Sequence, residues 1–104
     1  MRAIDLDAKG WSTALDFYDA LLAALGAPPK HGKNLNALTD SMVWHRGINS
    51  VEPPYTIRVK HLSGSPKDVL EEVELAKHAL AKARMNYQAR SGGDVDVQIV
   101  TTVN

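Results

Sequence analysis

Apolar and polar residues alternate in three stretches of this chain and recur at helical spacing in three others. Ile4 and Leu6 flank Asp5, the two-residue period of a pleated strand, which predicts a strand over residues 1–6. Tyr55, Ile57 and Val59 alternate with Thr56, Arg58 and Lys60 as a second strand, and Val95, Val97 and Ile99 alternate with Asp96 and Gln98 as a third. Between them, Phe17, Leu21 and Leu25 recur every four residues, widened by Ala14, Tyr18 and Leu22. This predicts a helix from Trp11 to Leu25, capped by Ser12 or Thr13 and stopped by Gly26-Ala27-Pro28-Pro29. Leu35, Leu38 and Met42 form the apolar stripe of a second helix that begins at Asn34 after the Gly32 turn. Val69, Val73, Ala76, Leu80, Ala83 and Tyr87 step by four and three down a third helix over 66–90. Ser65 is its expected cap and Pro66 its first residue, and at ~1.5 Å per residue it runs roughly 37 Å.

Strand, helix, helix, strand, long helix, strand is the order of an α/β domain built by helical crossovers, so the chain is read as a single domain over 1–104 with a small three-stranded parallel sheet. Each strand alternates, whereas parallel sheets covered on both faces read as continuous apolar runs. One face of the sheet is therefore expected to be buried and the other only partly covered. The narrow seam of the long helix also fits a coiled-coil dimer, but its small residues favour packing on the sheet and a monomer when free. His45 to Pro54 reads as a loop, and Pro53-Pro54 leaves a cis or a trans bond open.

Twelve basic and twelve acidic residues give a formal net charge of zero, so no global field draws in nucleic acid or an acidic membrane. With no cysteine, disulfides, thiolate metal sites and cysteine nucleophiles are excluded. Asp5 and Asp7 interrupt what a secretory signal would need, and no segment approaches the ~18 apolar residues of a membrane span, so a soluble, cytoplasmic protein is expected.

Among candidate chemistries, the four histidines, His31, His45, His61 and His78, lack metal-pair spacing. No glycine-rich phosphate loop opens a helix and no serine sits in a glycine-flanked nucleophile turn, so neither an enzyme, a metal nor a cofactor is expected. Lys77, Lys82, Arg84 and Arg90 fill the later part of the long helix and Asp68, Glu71, Glu72 and Glu74 its first part. The helix dipole favours that order without a ligand, so no direct nucleic-acid contact is expected. The remaining feature is the segment His31 to Ser41, where Asn36 and Asp40 share a helix face beside Thr39, with Lys30, His31 and Lys33 leading in.

Gly32-x-Asn34-Leu35-x-Ala37-Leu38-x-Asp40, set after a strand and an amphipathic helix, resembles the barstar family of intracellular ribonuclease inhibitors, and the spacing of the other elements agrees across nearly the whole chain. The resemblance implies a ribonuclease or related toxin as partner and a partner-binding set of Lys30, His31, Gly32, Asn34, Asn36, Thr39 and Asp40. In it Asp40 matches the family's central carboxylate, which takes the place of substrate phosphate in a cationic cleft. It also implies two shorter helices where the residues of 66–90 supply no breaker. The chain departs from the family pattern at Asn36, where a second acid is usual, at Thr39, where an aromatic is usual, and in the basic approach loop; Gln88 falls near a further helix acid. Two alternatives stand beside this reading: the same scaffold binding a different toxin or protein, and a small ligand-binding domain or enzyme using Asp40 with His31 or His45.

Overall fold

A computed structural model describes residues 2–102. Three strands, β1 (Arg2–Asp7), β2 (Tyr55–Lys60) and β3 (Val97–Thr101), form one sheet in the order β1-β2-β3. Both pairings are parallel, with Arg2 opposite Tyr55 and Tyr55 opposite Val97. Leu6, Tyr55, Ile57, Val59, Val97 and Ile99 are buried beneath the helices, in the one hydrophobic cluster that the buried apolar residues form. The other face carries Asp5, Asp7, Arg58 and Gln98, all exposed, as alternation requires of a sheet covered on one side. There Arg58 grips Asp5 through Nε at 2.6 Å and Nη2 at 3.1 Å, and Lys60 Nζ adds a contact at 3.0 Å. These partners hold the Asp5 carboxyl below its usual range, Arg58 first and Lys60 second.

Helix α1 (Ala14–Leu25) starts three residues after Trp11, its predicted first residue. Asp16 causes the delay: its carboxylate turns back to accept the Ser12 and Thr13 N–H groups at 2.7 and 3.1 Å, fixing Thr13 as the cap. Phe17, Leu21 and Leu25 are buried as the spacing predicts, and Gly26 closes the helix in the left-handed region at φ 65°.

Helix α3 (Lys67–Ser91) is one continuous helix, not the two shorter ones that the resemblance implied. Pro66 occupies its cap, with ψ 155°, rather than the predicted first helical position, and Ser65 lies one residue further out. Val69, Val73, Ala76, Leu80 and Ala83 are buried against the core, so the seam packs within the molecule. At the far end Arg84 holds Asp94 through two hydrogen bonds, at 3.2 and 2.6 Å, and β3 begins at Val97, two residues later than predicted. Asp96 sits between at φ 58° and Val95 is buried ahead of the strand. Among the described residues no helix is long and apolar enough to cross a membrane.

Candidate functional site

The segment between α1 and β2 is built on a helix that changes pitch. Asn34 caps α2 (Leu35–Thr39), its Oδ1 accepting the Ala37 N–H at 2.8 Å. Gly32 lies close behind: a Cβ there would stand 3.1 Å from both the Ala37 Cβ and the Asn34 Nδ2, so only glycine leaves the approach loop against the helix start without displacing one of them. Leu38 and Met42 are fully buried under the helix, while Leu35 is half-buried. At Asp40 the backbone widens into a π-helical turn (Asp40–Trp44), in which the His45 N–H reaches the Asp40 carbonyl at 2.6 Å. Such turns are frequent at functional positions, and this one brings the Asp40 and His45 side chains together. His45 Nδ1 lies 2.7 Å from Asp40 Oδ1, and the two side chains are 67% and 48% exposed. Asp40 therefore faces outward, engaged by a histidine of its own chain.

Beneath this surface runs a buried polar tie that the sequence reading missed. Ser41 and Asn49 are 2% and 3% exposed. Ser41 Oγ lies 2.7 Å from His31 Nε2, receives Asn49 Nδ2 at 3.3 Å and stands 3.3 Å from the Leu38 carbonyl oxygen. His31 Nδ1 stands 2.6 Å from the Gly32 carbonyl, which can only accept, so this nitrogen carries a proton. One hydroxyl thus joins the approach loop, the helix and the loop after the π turn. Lys33 reaches back to Asp19 of α1 at 2.7 Å and fixes the approach loop from outside. The second loop is pinned by Ser50 N–H to Gly26 O at 3.2 Å and Val51 N–H to Leu25 O at 3.0 Å. It contains the 3₁₀ turn Arg46–Ile48 and the bond Pro53-Pro54, which is cis.

The seven nominated residues therefore divide by task. Gly32 and Asn34 set the shape of the turn, His31 is spent on Gly32 and Ser41, and the Thr39 hydroxyl turns back to the Leu35 and Asn36 carbonyls at 3.2 Å each. Asp40, Asn36 and Lys30 face outward. Asp40, Lys30 and His31 line a shallow depression of about 250 Å³ with Pro28, Ala37 and Ile48. Two exposed apolar side chains were left out of the sequence reading: Ile48, 47% exposed, which lines this depression, and Trp44, 37% exposed, which lines a separate hollow with His45, Gly47, Glu52 and Pro53. The Trp44 ring packs edge-on against Tyr87 of α3, with centroids 5.6 Å apart, and the Arg90 guanidinium lies 5.6 Å from its centre. A tryptophan four residues after Asp40 is the one signal that could have marked this edge from the sequence. Among the described residues no group of three His, Asp or Glu side chains is placed to hold a metal ion.

No curated protein matches the chain. Residues 1–100 match the family described as Barstar (barnase inhibitor). That match spans β1, β2, every helix and all but the last residue of β3, and it includes the capped turn and the outward carboxylate described above. On a match over all but the last four residues, the chain belongs to the barstar family.

Proposed function

We propose that this protein is a cytoplasmic ribonuclease inhibitor, of the kind that confers immunity to a toxin, and that it blocks a nuclease active site with the loop and helix around residues 30–40. Asp40 mimics substrate phosphate. The observation that carries this reading is the presentation of Asp40: an outward carboxylate on a helix anchored by Leu38 and Met42, already accepting a hydrogen bond from an imidazole at 2.7 Å. A nuclease cleft gathers cationic donors to stabilise a developing phosphorane, and a rigid carboxylate meets them without reorganisation. Enzymatic or small-ligand use of Asp40 with His31 or His45 draws less support, because both His31 nitrogens are engaged and the Asp40–His45 pair lies open to solvent.

Inhibition of a barnase-type ribonuclease by wild type and Asp40→Ala tests the proposal. Removing one member of a buried charge pair costs about 2–5 kcal/mol of binding, a range that includes the barnase–barstar pairs themselves. The inhibition constant of Asp40→Ala is therefore expected to weaken by at least thirtyfold, since 1.4 kcal/mol is tenfold. A change under about 0.5 kcal/mol would exclude Asp40 as the phosphate mimic.

A further inference from the structure

On an ordinary helix the side chains that meet are three or four residues apart. The π turn instead joins two that are five apart, and it places His45 Nδ1 2.7 Å from Asp40 Oδ1. A carboxylate oxygen can only accept, so this nitrogen carries the proton while the imidazole is neutral, and the pair then bears one negative charge. A second proton enters at Nε2, which has no partner among the described residues, and brings the charge of the pair to zero. Other charged and titratable groups border the pair. Lys30 and His31 of the approach loop line the depression with Asp40, Glu52 of the loop before β2 lines a hollow with His45, and the Arg90 guanidinium of α3 lies against Trp44. Of these residue types only histidine ordinarily changes charge between about pH 5 and 8, and both nitrogens of His31 are already engaged.

We infer that His45 is a proton-operated mask on Asp40: an imidazolium at this position cancels the carboxylate that a nuclease cleft would bind, so inhibition weakens on mild acidification. The inference rests on the reading of Asp40 as phosphate mimic and adds the regulation of that site. While the imidazole is neutral, its N–H orients the carboxylate and leaves the negative charge to the partner's cations. Once the imidazolium forms, those cations meet a neutralised pair with a like charge in contact with it. Lys30, Glu52 and Arg90 are present in both states of the pair and do not alter the sign of the change. The relation is reciprocal, because a cation delivered to Asp40 opposes protonation of His45, and one proton expelled on binding changes affinity by up to about tenfold per pH unit.

The test measures affinity for one barnase-type ribonuclease by titration calorimetry, for wild type and His45→Asn, in steps from about pH 7.5 to about pH 5.5. Asparagine keeps an N–H donor but cannot take up a proton, and the substitution falls on an exposed side chain. The ratio of the two affinities at each pH cancels every titration the two complexes share, those of the ribonuclease and of His31 included. Wild type is expected to lose at least about fivefold relative to His45→Asn across this range, with cooperative unfolding of both confirmed at each end. A ratio that stays constant, or moves the other way, overturns the inference. The same comparison on an Asp40→Asn background is expected to show no drift. A drift that persists there means that His45 repels the partner's cations directly instead of masking Asp40, and overturns the inference as well. Asp40→Asn alone at about pH 7.5 separates the two claims. If it binds as wild type does, the phosphate-mimic reading fails and the mask with it; if its affinity is lost while the wild-type ratio stays flat, only the mask is wrong. Failure of wild type to bind removes both.

Discussion

Ser41 illustrates how one small side chain can set the geometry of a site it does not face. Its neighbours are a ring nitrogen at 2.7 Å, an amide donor at 3.3 Å and a carbonyl at 3.3 Å, all in a position almost closed to water. With Nδ1 of His31 committed as donor to Gly32, the neutral ring accepts the Ser41 hydroxyl through Nε2; a protonated ring donates instead, and the hydroxyl turns to the Leu38 carbonyl. The tie survives in either state because a hydroxyl both donates and accepts. Ser41→Ala removes it at one stroke and leaves a buried Asn49 amide without its acceptor, so unfolding in urea is expected to show a loss of about 1–3 kcal/mol. Amide exchange over residues 30–33 is expected to quicken with it, and unchanged exchange there would show that Lys33–Asp19 alone holds the loop. Asn34 was legible in the sequence because a cap acts on residues three positions away; Ser41 and Asn49 were not, because their partners lie eight and ten residues off and their types are commonplace in helices and loops.

At the scale of elements, period located the three strands and the three α-helices, since burial of one face imposes it wherever a strand or helix rests on the core, while the 3₁₀ turn Arg46–Ile48 lies in a stretch read as a loop. What period could not show is the π turn at Asp40–Trp44. Leu38 and Met42 are four apart and read as an ordinary helix, while the widening depends on where the chain must go afterwards. That path is set by the docking of the next loop on the end of α1, and Gly26 is the contact that permits it. A Cβ at Gly26 would come within 2.7 Å of the Ser50 Cβ, and the residue stands at φ 65°. Gly26→Ala therefore meets both a steric and a left-handed backbone penalty, and is expected to lower stability by about 2 kcal/mol or more. It is also expected to weaken ribonuclease inhibition, although residue 26 lies outside the proposed contact surface, because displacement of Ser50 carries Asn49 away from Ser41. Full inhibition by a destabilised Gly26→Ala would show that the loop and the helix are independent. The ends of α1 and β3 shifted from their predicted positions for a similar reason: Asp16 and the Arg84–Asp94 clasp are side-chain contacts across a boundary, which hydrophobic spacing does not encode.

Over the whole molecule the zero net charge conceals an uneven arrangement, in which four aspartates are held in place by specific donors. Asp5 is lowered by Arg58 and Lys60, Asp7 by the Lys9 N–H and then His61, Asp16 by the Ser12 and Thr13 N–H groups, and Asp94 by Arg84 and then the Asp96 N–H. In each case the folded carboxyl titrates below its unfolded value, near 3.9. The unfolded chain then binds more protons than the folded one in the acid range, and stability rises with pH there. The stabilisation is complete above the unfolded value and is lost as pH falls from about 4 through the folded values. The urea midpoint is therefore expected to hold steady from pH 7 to about 5 and to fall steeply below about 4. Arg84–Asp94 gives the sharpest single check, because it joins the last turns of α3 to the chain just before β3 and is the least exposed of these pairs. Asp94→Asn keeps a hydrogen-bond acceptor for Arg84 and removes the titrating group, so it should lower the midpoint at neutral pH and flatten the acid limb. A variant whose acid limb runs parallel to that of wild type would place the pH dependence on Asp5 and Asp7 of the open sheet face and on Asp16 at the start of α1, and leave the clasp as a packing contact alone.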